Sequence, residues 1–264
     1  MSVVACVKVH DGIILGAESM TQIWGTDGKG NTGVTKTYEN AQKLYQMANL
    51  PIGIMTYGSG NIGPRSIGSF IAEFSNANAN SLNICGQAGV EVGKVADALW
   101  TFMTKIYTEA YKEMPEPKPL IGMYIGGYSA GCPLAEEWEF SVPQGKPQLV
   151  RPLDTFGASW RGVAVPFTRL YTGIDPRLTE ELLKAGVAPN VLTPLLEKYR
   201  APFIFDGMPV QDAIDFVTFI LQTTIGMAEF EAGPPSCGGP IWIAVNSPTG
   251  FEWVKRPKWS IRRD

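Results

Sequence analysis

The chain has 264 residues, 45% of them apolar and 18% charged, which is ordinary globular composition with length enough for a large core. A net charge of -3 argues against nucleic acid as a partner, because phosphate binding needs clustered Lys and Arg. His10 is the sole histidine, so a multi-histidine zinc site is excluded and any Ser-His-Asp triad would have to use it.

Residues 2–9 read as the first strand, since Val3, Val4, Ala5, Cys6, Val7 and Val9 are apolar and mostly β-branched. His10-Asp11-Gly12 is a turn signal with His10 as a turn residue, and 13–17 is a second apolar strand. The two make a hairpin at the very start of the chain, where residues normally fray unless held in a sheet. Residues 24–40, rich in Gly, Thr, Asn and Lys, read as a mobile loop. Residues 43–47 and 52–57 form a second strand pair turned at 48–51, and Gly58-Ser59-Gly60 breaks it.

A helix is expected over 62–75, and a stronger one over 92–114. The second has Val92, Val95, Ala96, Leu99, Phe102, Met103, Ile106 and Ala110 on one stripe, and Pro115 and Pro117 stop it. Strands follow at 120–128, 138–142 and about 148–151. Residues 166–205 hold short helical stretches such as 179–185 and 191–199, separated by prolines. The run 210–231 is a long apolar helix with Ile214, Val217, Leu221, Thr224 and Ala228 in register; Phe216, Phe219 and Ile220 widen its apolar surface. A last hairpin pairs 240–245 with 251–254 through Ser247-Pro248-Thr249-Gly250. Two sheets, each covered outside by helices, satisfy this order of elements. The expected fold is therefore α+β, a four-layer αββα sandwich in one domain over 1–264.

Cys6, Cys85, Cys132 and Cys237 form no CxxC pair, and no cleavable apolar stretch follows the start. The apolar run 216–228 is interrupted by Thr218, Gln222, Thr223 and Thr224, too short and polar to span a bilayer. The expectation is reduced thiols in a cytoplasmic protein, with no membrane partner, metal or cofactor. The basic cluster Lys255, Arg256, Lys258, Arg262 and Arg263 reads as a solvated tail or a subunit contact.

Chemistry can be sought at the N-terminus. A small residue at position 2 normally lets Met1 be trimmed, which would leave a free amine and a hydroxyl on Ser2. A serine hydroxyl needs a base, and a free α-amine, with an ordinary pKa of about 7.7–8.0, can be that base near neutral pH.

The run from Ser2 through Val-Val-Ala-Cys-Val-Lys-Val-His-Asp-Gly12 to Gly-Ala-Glu18-Ser19 resembles the opening of proteasome β subunits and their bacterial relatives. These are N-terminal-nucleophile (Ntn) hydrolases. Counted from Ser2, the turn Gly12 and the acid Glu18 fall at the family positions without a gap. Lys43-Leu-Tyr-Gln-Met resembles the segment carrying the catalytic lysine. Met55-Thr-Tyr-Gly58-Ser-Gly resembles the strand end whose glycine N–H forms the oxyanion hole, and Ser236-Cys-Gly238-Gly239 resembles the late Ser-Gly-Gly segment. The likeness is good over 2–75, fair over 92–142 and 210–254, and poor over 143–209, so 166–205 reads as a family-atypical insertion.

The resemblance implies a peptidase acting through an acyl-enzyme on Ser2, with Lys43, Glu18 and Gly58 as the other site residues. Lys43 would depress the pKa values of the amine and hydroxyl, and Glu18 would hold Lys43. Gly58 would donate to the tetrahedral oxyanion. Lys36 competes for the lysine role; Lys43 is preferred because an alternating strand follows it. The resemblance also implies a ring or stacked-ring homo-oligomer acting on peptide or protein, with an ATPase partner left open. Residues 166–205 and 210–231 are its candidate contact surfaces.

Several positions depart from the family. Ser replaces Thr, Glu18 replaces Asp, and the loop before Lys43 is longer. Pro234 stands where an acid is expected and Cys237 where Ser is expected. Another expected Ser falls near Gly157-Ala158-Ser159, which leaves Ser159 as an open candidate for it. Cys237 itself reads as a small packing residue. Two other readings remain open: a catalytically silent subunit of such an assembly, and an Ntn amidase or acylase acting on a small molecule.

Overall fold

The apolar runs at the start of the chain become strands that are covered on both faces. The structure is a computed structural model that describes residues 2–26, 28–79, 85–86 and 89–258. In chain order it has β1 (Val3–Val9), β2 (Gly12–Ala17), β3 (Thr21–Thr26), β4 (Thr32–Tyr38), β5 (Leu44–Gln46), β6 (Ile52–Gly58), β7 (Asn61–Ile62), β8 (Arg65–Ser66) and α1 (Ile67–Ala79). Next come β9 (Cys85–Gly86), β10 (Gly89–Val90), α2 (Val92–Ala110), β11 (Ile121–Gly127), β12 (Glu136–Val142), β13 (Gln148–Leu149) and β14 (Gly157–Gly162). The chain continues with α3 (Val165–Thr172), α4 (Pro176–Lys184), α5 (Pro189–Tyr199), α6 (Val210–Phe230), β15 (Trp242–Ser247) and β16 (Gly250–Lys255). The architecture is mixed α/β with several antiparallel sheets. Two are five-stranded, in the orders β14-β1-β2-β15-β16 and β13-β12-β11-β6-β5.

Side chains alternate across a strand, and here the two faces meet different partners. Val3, Ala5, Val7 and Val9 of β1 join Val217, Ile220 and Leu221 of α6 in one apolar cluster. Val4 and Cys6 point the other way, into a cluster with Leu15, Met55, Tyr124, Trp242 and Ala244, drawn from both large sheets. Ile52, Ile54, Ile121, Met123 and Ile125 of the second sheet pack on α1 and α2 through Phe70, Phe74, Val95, Leu99 and Met103. The sheets approach closely: a Cβ added at Gly126 would meet the Ile13 side chain at 2.7 Å.

Most strands and helices lie where the patterns put them, with shifts at the ends. Residues 24–40 are a correction: β3 and β4 pair as an antiparallel ribbon rather than a loop. The glycines hid a run of β-branched Thr and Val, and because the ribbon is largely exposed it lacks an apolar stripe. The helix expected over 62–75 begins later, after the β7–β8 hairpin, and α2 ends at Ala110 rather than 114. β14 and α3 were not foreseen; Ser159 and Trp160 sit in a strand with only two of its six residues buried. α3 rests on α6 through Phe167, whose ring centroid lies 5.9 Å from that of Phe216. α6 is, among the described residues, the one helix long and apolar enough to cross a membrane, longer than the 216–228 run alone; here it lies against β1 and β2. Cys6, Cys132 and Cys237 are free thiols, whereas the Cys85 side chain, Met1, Arg262 and Arg263 lie outside the described residues.

Candidate active site

Ser2 immediately precedes β1 and is 4% exposed. Its carbonyl accepts from the Val163 N–H at 2.7 Å, just past the end of β14. The neighbouring Gly162 has φ +82, and a Cβ there would collide with the Ser2 carbonyl. Only glycine lets the two chains meet so closely in this left-handed conformation. The start of the chain is therefore held as part of a sheet rather than frayed.

Glu18 follows β2 and is completely buried. A buried carboxylate must be paired and hydrogen-bonded. Its Oε1 accepts from Lys43 Nζ; its Oε2 accepts from the Met20 N–H at 2.6 Å and the Gly238 N–H at 3.1 Å. The methylene that Glu has over Asp is accommodated by curling back onto its own chain at Met20. Lys43, just before β5, also donates to the Met20 carbonyl. Those two bonds leave one ammonium N–H for a group in the cleft that Lys43 lines. Burial lowers the Lys43 pKa from its ordinary value, and the Glu18 carboxylate partly offsets the shift. Lys36, the competing lysine, is exposed on β4 with its ammonium 5.7 Å from the Tyr38 ring centroid.

Gly58 ends β6 with φ +85, and a Cβ there would collide with the Leu120 carbonyl. The register fixes where its N–H points. Gly58 pairs with Ile121, and the Ser59 N–H donates to the Leu120 carbonyl at 2.8 Å. In an antiparallel ladder this makes Gly58–Ile121 a non-hydrogen-bonded pair and Tyr57–Gly122 a bonded one. The Tyr57 carbonyl thus faces β11, and its trans peptide turns the Gly58 N–H toward the β5 side. On that side lies a cleft of about 570 Å³ lined by Ser2, Lys43, Thr56, Tyr57 and Gly58, among others. Lys43 is the one charged side chain among its described lining residues; Ile23, Ala41, Tyr45, Ile67 and Ala72 give it apolar walls.

The structure thus brings Ser2, Lys43 and Gly58 to one cleft, with Glu18 behind Lys43. The segment 236–239 closes the back. The Ser19 N–H donates to the Gly238 carbonyl at 3.1 Å, and the Ser19 hydroxyl lies 2.6 Å from the Pro240 carbonyl. Cys237 is fully buried, and burial with the nearby Glu18 charge pushes its thiol up to about 12, which suits packing rather than nucleophilic attack. Pro234 is exposed.

Ser159 is not beside Ser2. It pairs with Cys6, four residues along β1, and accepts from Arg151 Nη2 at 2.5 Å. It belongs to a separate buried polar group in which Glu137 accepts from Arg151 and from Cys6 Sγ at 3.2 Å. His10 is in a turn, its Nε2 3.4 Å from Asp206.

Sequence reading missed the Gly162–Val163 backbone that holds Ser2, Tyr57 that lines the same cleft, and Glu139 and Arg161, which bond to each other, Glu139 also to Tyr57. The one local signal was the Arg161-Gly162 pair ending β14, which has meaning only once β14 is known to lie beside β1. Scanned against protein-family models and searched against curated proteins, the chain returns no match.

Proposed function

We propose that this chain is a proteasome-like Ntn hydrolase that cleaves amide bonds, with Ser2 as nucleophile once Met1 is removed. One observation carries the reading: Ser2, Lys43 and the strand-end Gly58 line a single cleft, and the wholly buried Glu18 holds the lysine. In the proposed reaction the Ser2 α-amine takes the hydroxyl proton while Oγ attacks the substrate carbonyl. The Lys43 ammonium favours the ionised hydroxyl and the neutral amine. The Gly58 N–H stabilises the oxyanion, a contribution of about 2.7–4 kcal/mol for such a donor. The proton then passes to the leaving amine, and water hydrolyses the acyl ester.

The finer fold reading belongs to the same proposal. A helix-covered cluster outside each large sheet and a third cluster between them support a four-layer αββα sandwich. The cleft's apolar walls suit a peptide substrate with an uncharged side chain at the cleavage point. Exposed Leu178, Leu183, Val191, Tyr199 and Phe230 on α4, α5 and α6 support burial of this side in a ring-like homo-oligomer.

Intact mass and an electrophilic probe for N-terminal nucleophiles test the reading together. Expected is loss of Met1 and stoichiometric acylation that vanishes in Ser2→Ala. Trimmed, assembled protein that takes no label would sink the hydrolase and favour a silent subunit. Labelling by a small acyl donor in a particle no larger than a dimer would favour the small-molecule amidase.

A further inference from the structure

On the side of Ser2 away from Lys43 lies a charged group that the proposed reaction leaves unused. β12 alternates so that Trp138 and Phe140 pack toward α2 while Glu137 and Glu139 face the first sheet. Glu139 Oε1 accepts from the Tyr57 hydroxyl at 2.5 Å and from Arg161 Nε at 2.7 Å; Oε2 accepts from Arg161 Nη2 at 2.8 Å. Arg161 belongs to β14 of the first sheet and Tyr57 to β6 of the second. One carboxylate therefore ties a strand of each sheet.

Each tie adjoins a backbone group that the proposed chemistry needs. Arg161 precedes Gly162 and Val163, and the Val163 N–H holds the Ser2 carbonyl. Tyr57 precedes Gly58, and its Cβ lies 3.7 Å from where a Gly162 Cβ would stand. The nucleophile starts a strand of one sheet and the oxyanion donor ends a strand of the other, so their separation spans the seam between sheets. Apolar packing across a seam is non-directional. A bidentate guanidinium–carboxylate pair fixes direction and distance. We propose that Glu139 is a positioning residue that sets the spacing of Ser2 and the Gly58 N–H by clamping Arg161 and Tyr57. This rests on the hydrolase reading above for its consequence, though not for the clamp itself.

Burial pushes the Glu139 carboxyl up, but the hydrogen bonds from Arg161 and Tyr57 outweigh it and hold the pKa below the ordinary value. The carboxylate is thus ionised wherever the protein would work. A misplacement near 1 Å costs about 10²-fold in rate, so the clamp needs only a small displacement to matter.

The test uses full-length, assembled protein carrying Glu139→Ala, Glu139→Gln, Tyr57→Phe or Arg161→Gln. Hydrogen exchange is read over 52–60 and 157–165, and probe acylation is split into maximal rate and half-saturation. In Glu139→Ala both segments should exchange faster together, with the maximal acylation rate down about 10²-fold and half-saturation little moved; Glu139→Gln should recover part of both. Tyr57→Phe should loosen the first segment alone and Arg161→Gln the second alone. Neither should add to Glu139→Ala. Unchanged exchange in Glu139→Ala, an unchanged acylation rate beside an active parent, or full additivity overturns the proposal. Should Glu139→Ala not fold, the Tyr57→Phe, Arg161→Gln double variant decides it by acylation rate: since either change breaks the one bridge between the sheets, a combined loss smaller than the product of the two single losses supports the clamp, and a fully multiplicative loss overturns it. Coupled exchange in a parent that takes no label supports the clamp and sinks the hydrolase reading.

Discussion

Ser2 stands between two ion pairs of similar composition and different construction. On one side Glu18–Lys43 is sealed, with the two side chains 0% and 9% exposed. Both Glu18 oxygens are taken, and its partners come from the segments at 18–20, 43 and 238. On the other side Glu139–Arg161 is half open, with the side chains 25% and 34% exposed, at the edge of a cleft that Lys146 and Gln148 also line. Solvent access separates what each pair can do. A sealed pair holds a cation of lowered pKa at the cleft that Ser2 lines, and removing one partner is costly. A half-open, bidentate pair adds little stability but fixes geometry.

Removing one partner from each pair should widen that contrast. Lys43→Met leaves Glu18 buried and unpaired; expected is a loss of about 3–5 kcal/mol in chemical denaturation and loss of probe acylation. Arg161→Met should cost only about 1 kcal/mol in the same measurement, because water reaches Glu139. Comparable losses at both sites would mean that exposure is not what separates the pairs.

The backbone on either side gives the next largest effect. Gly58→Ala puts a Cβ against the Leu120 carbonyl in a left-handed conformation, so it should cost about 1–3 kcal/mol and shift the N–H proposed as oxyanion donor. Acylation should fall by more than stability does, whereas Gly63→Ala, strained but in open space, should leave acylation intact.

The smallest effect is in acid. Glu139 has a folded pKa below its unfolded value of about 4.3, so its stabilisation is complete above that pH and is lost as pH falls through the folded value. Denaturation midpoints followed downward from pH 5 should drop less steeply in Glu139→Gln than in the parent. Identical slopes would show that the half-open pair adds nothing.

The first pair was legible in the sequence and the second was not. Glu18 and Lys43 flank strands near the start, one just after β2 and one just before β5, and the apolar runs and turn glycine there carry the resemblance that singles them out. Gly58 was legible because it breaks a strand. Tyr57, Glu139 and Arg161 look like ordinary polar positions on half-buried strands, and no spacing links them. Whether Ser159 stands in for an expected Ser was open from sequence; β14 pairs with β1 in a register that sets Gly162, not Ser159, near Ser2. Register decides which residue meets Ser2, and a slip in it is invisible in composition. The exposed β3–β4 ribbon escaped for a related reason: a strand that buries no face has no alternating pattern to read.

Local chemistry was enough to determine β1, β2, β5, β6, β11, β12, β15 and β16, the long helices, the turn at Gly12 and the break at Gly58. β-branched runs, helical periodicity and glycine's freedom act over a few neighbouring residues. Distant segments meet only in the folded chain: Gly238 with Glu18, Val163 with Ser2, and Glu139 with both Tyr57 and Arg161. Those contacts depend on strand order, register and the fit of one sheet on another, and all three are set by burial summed over the whole chain rather than by any one stretch of it.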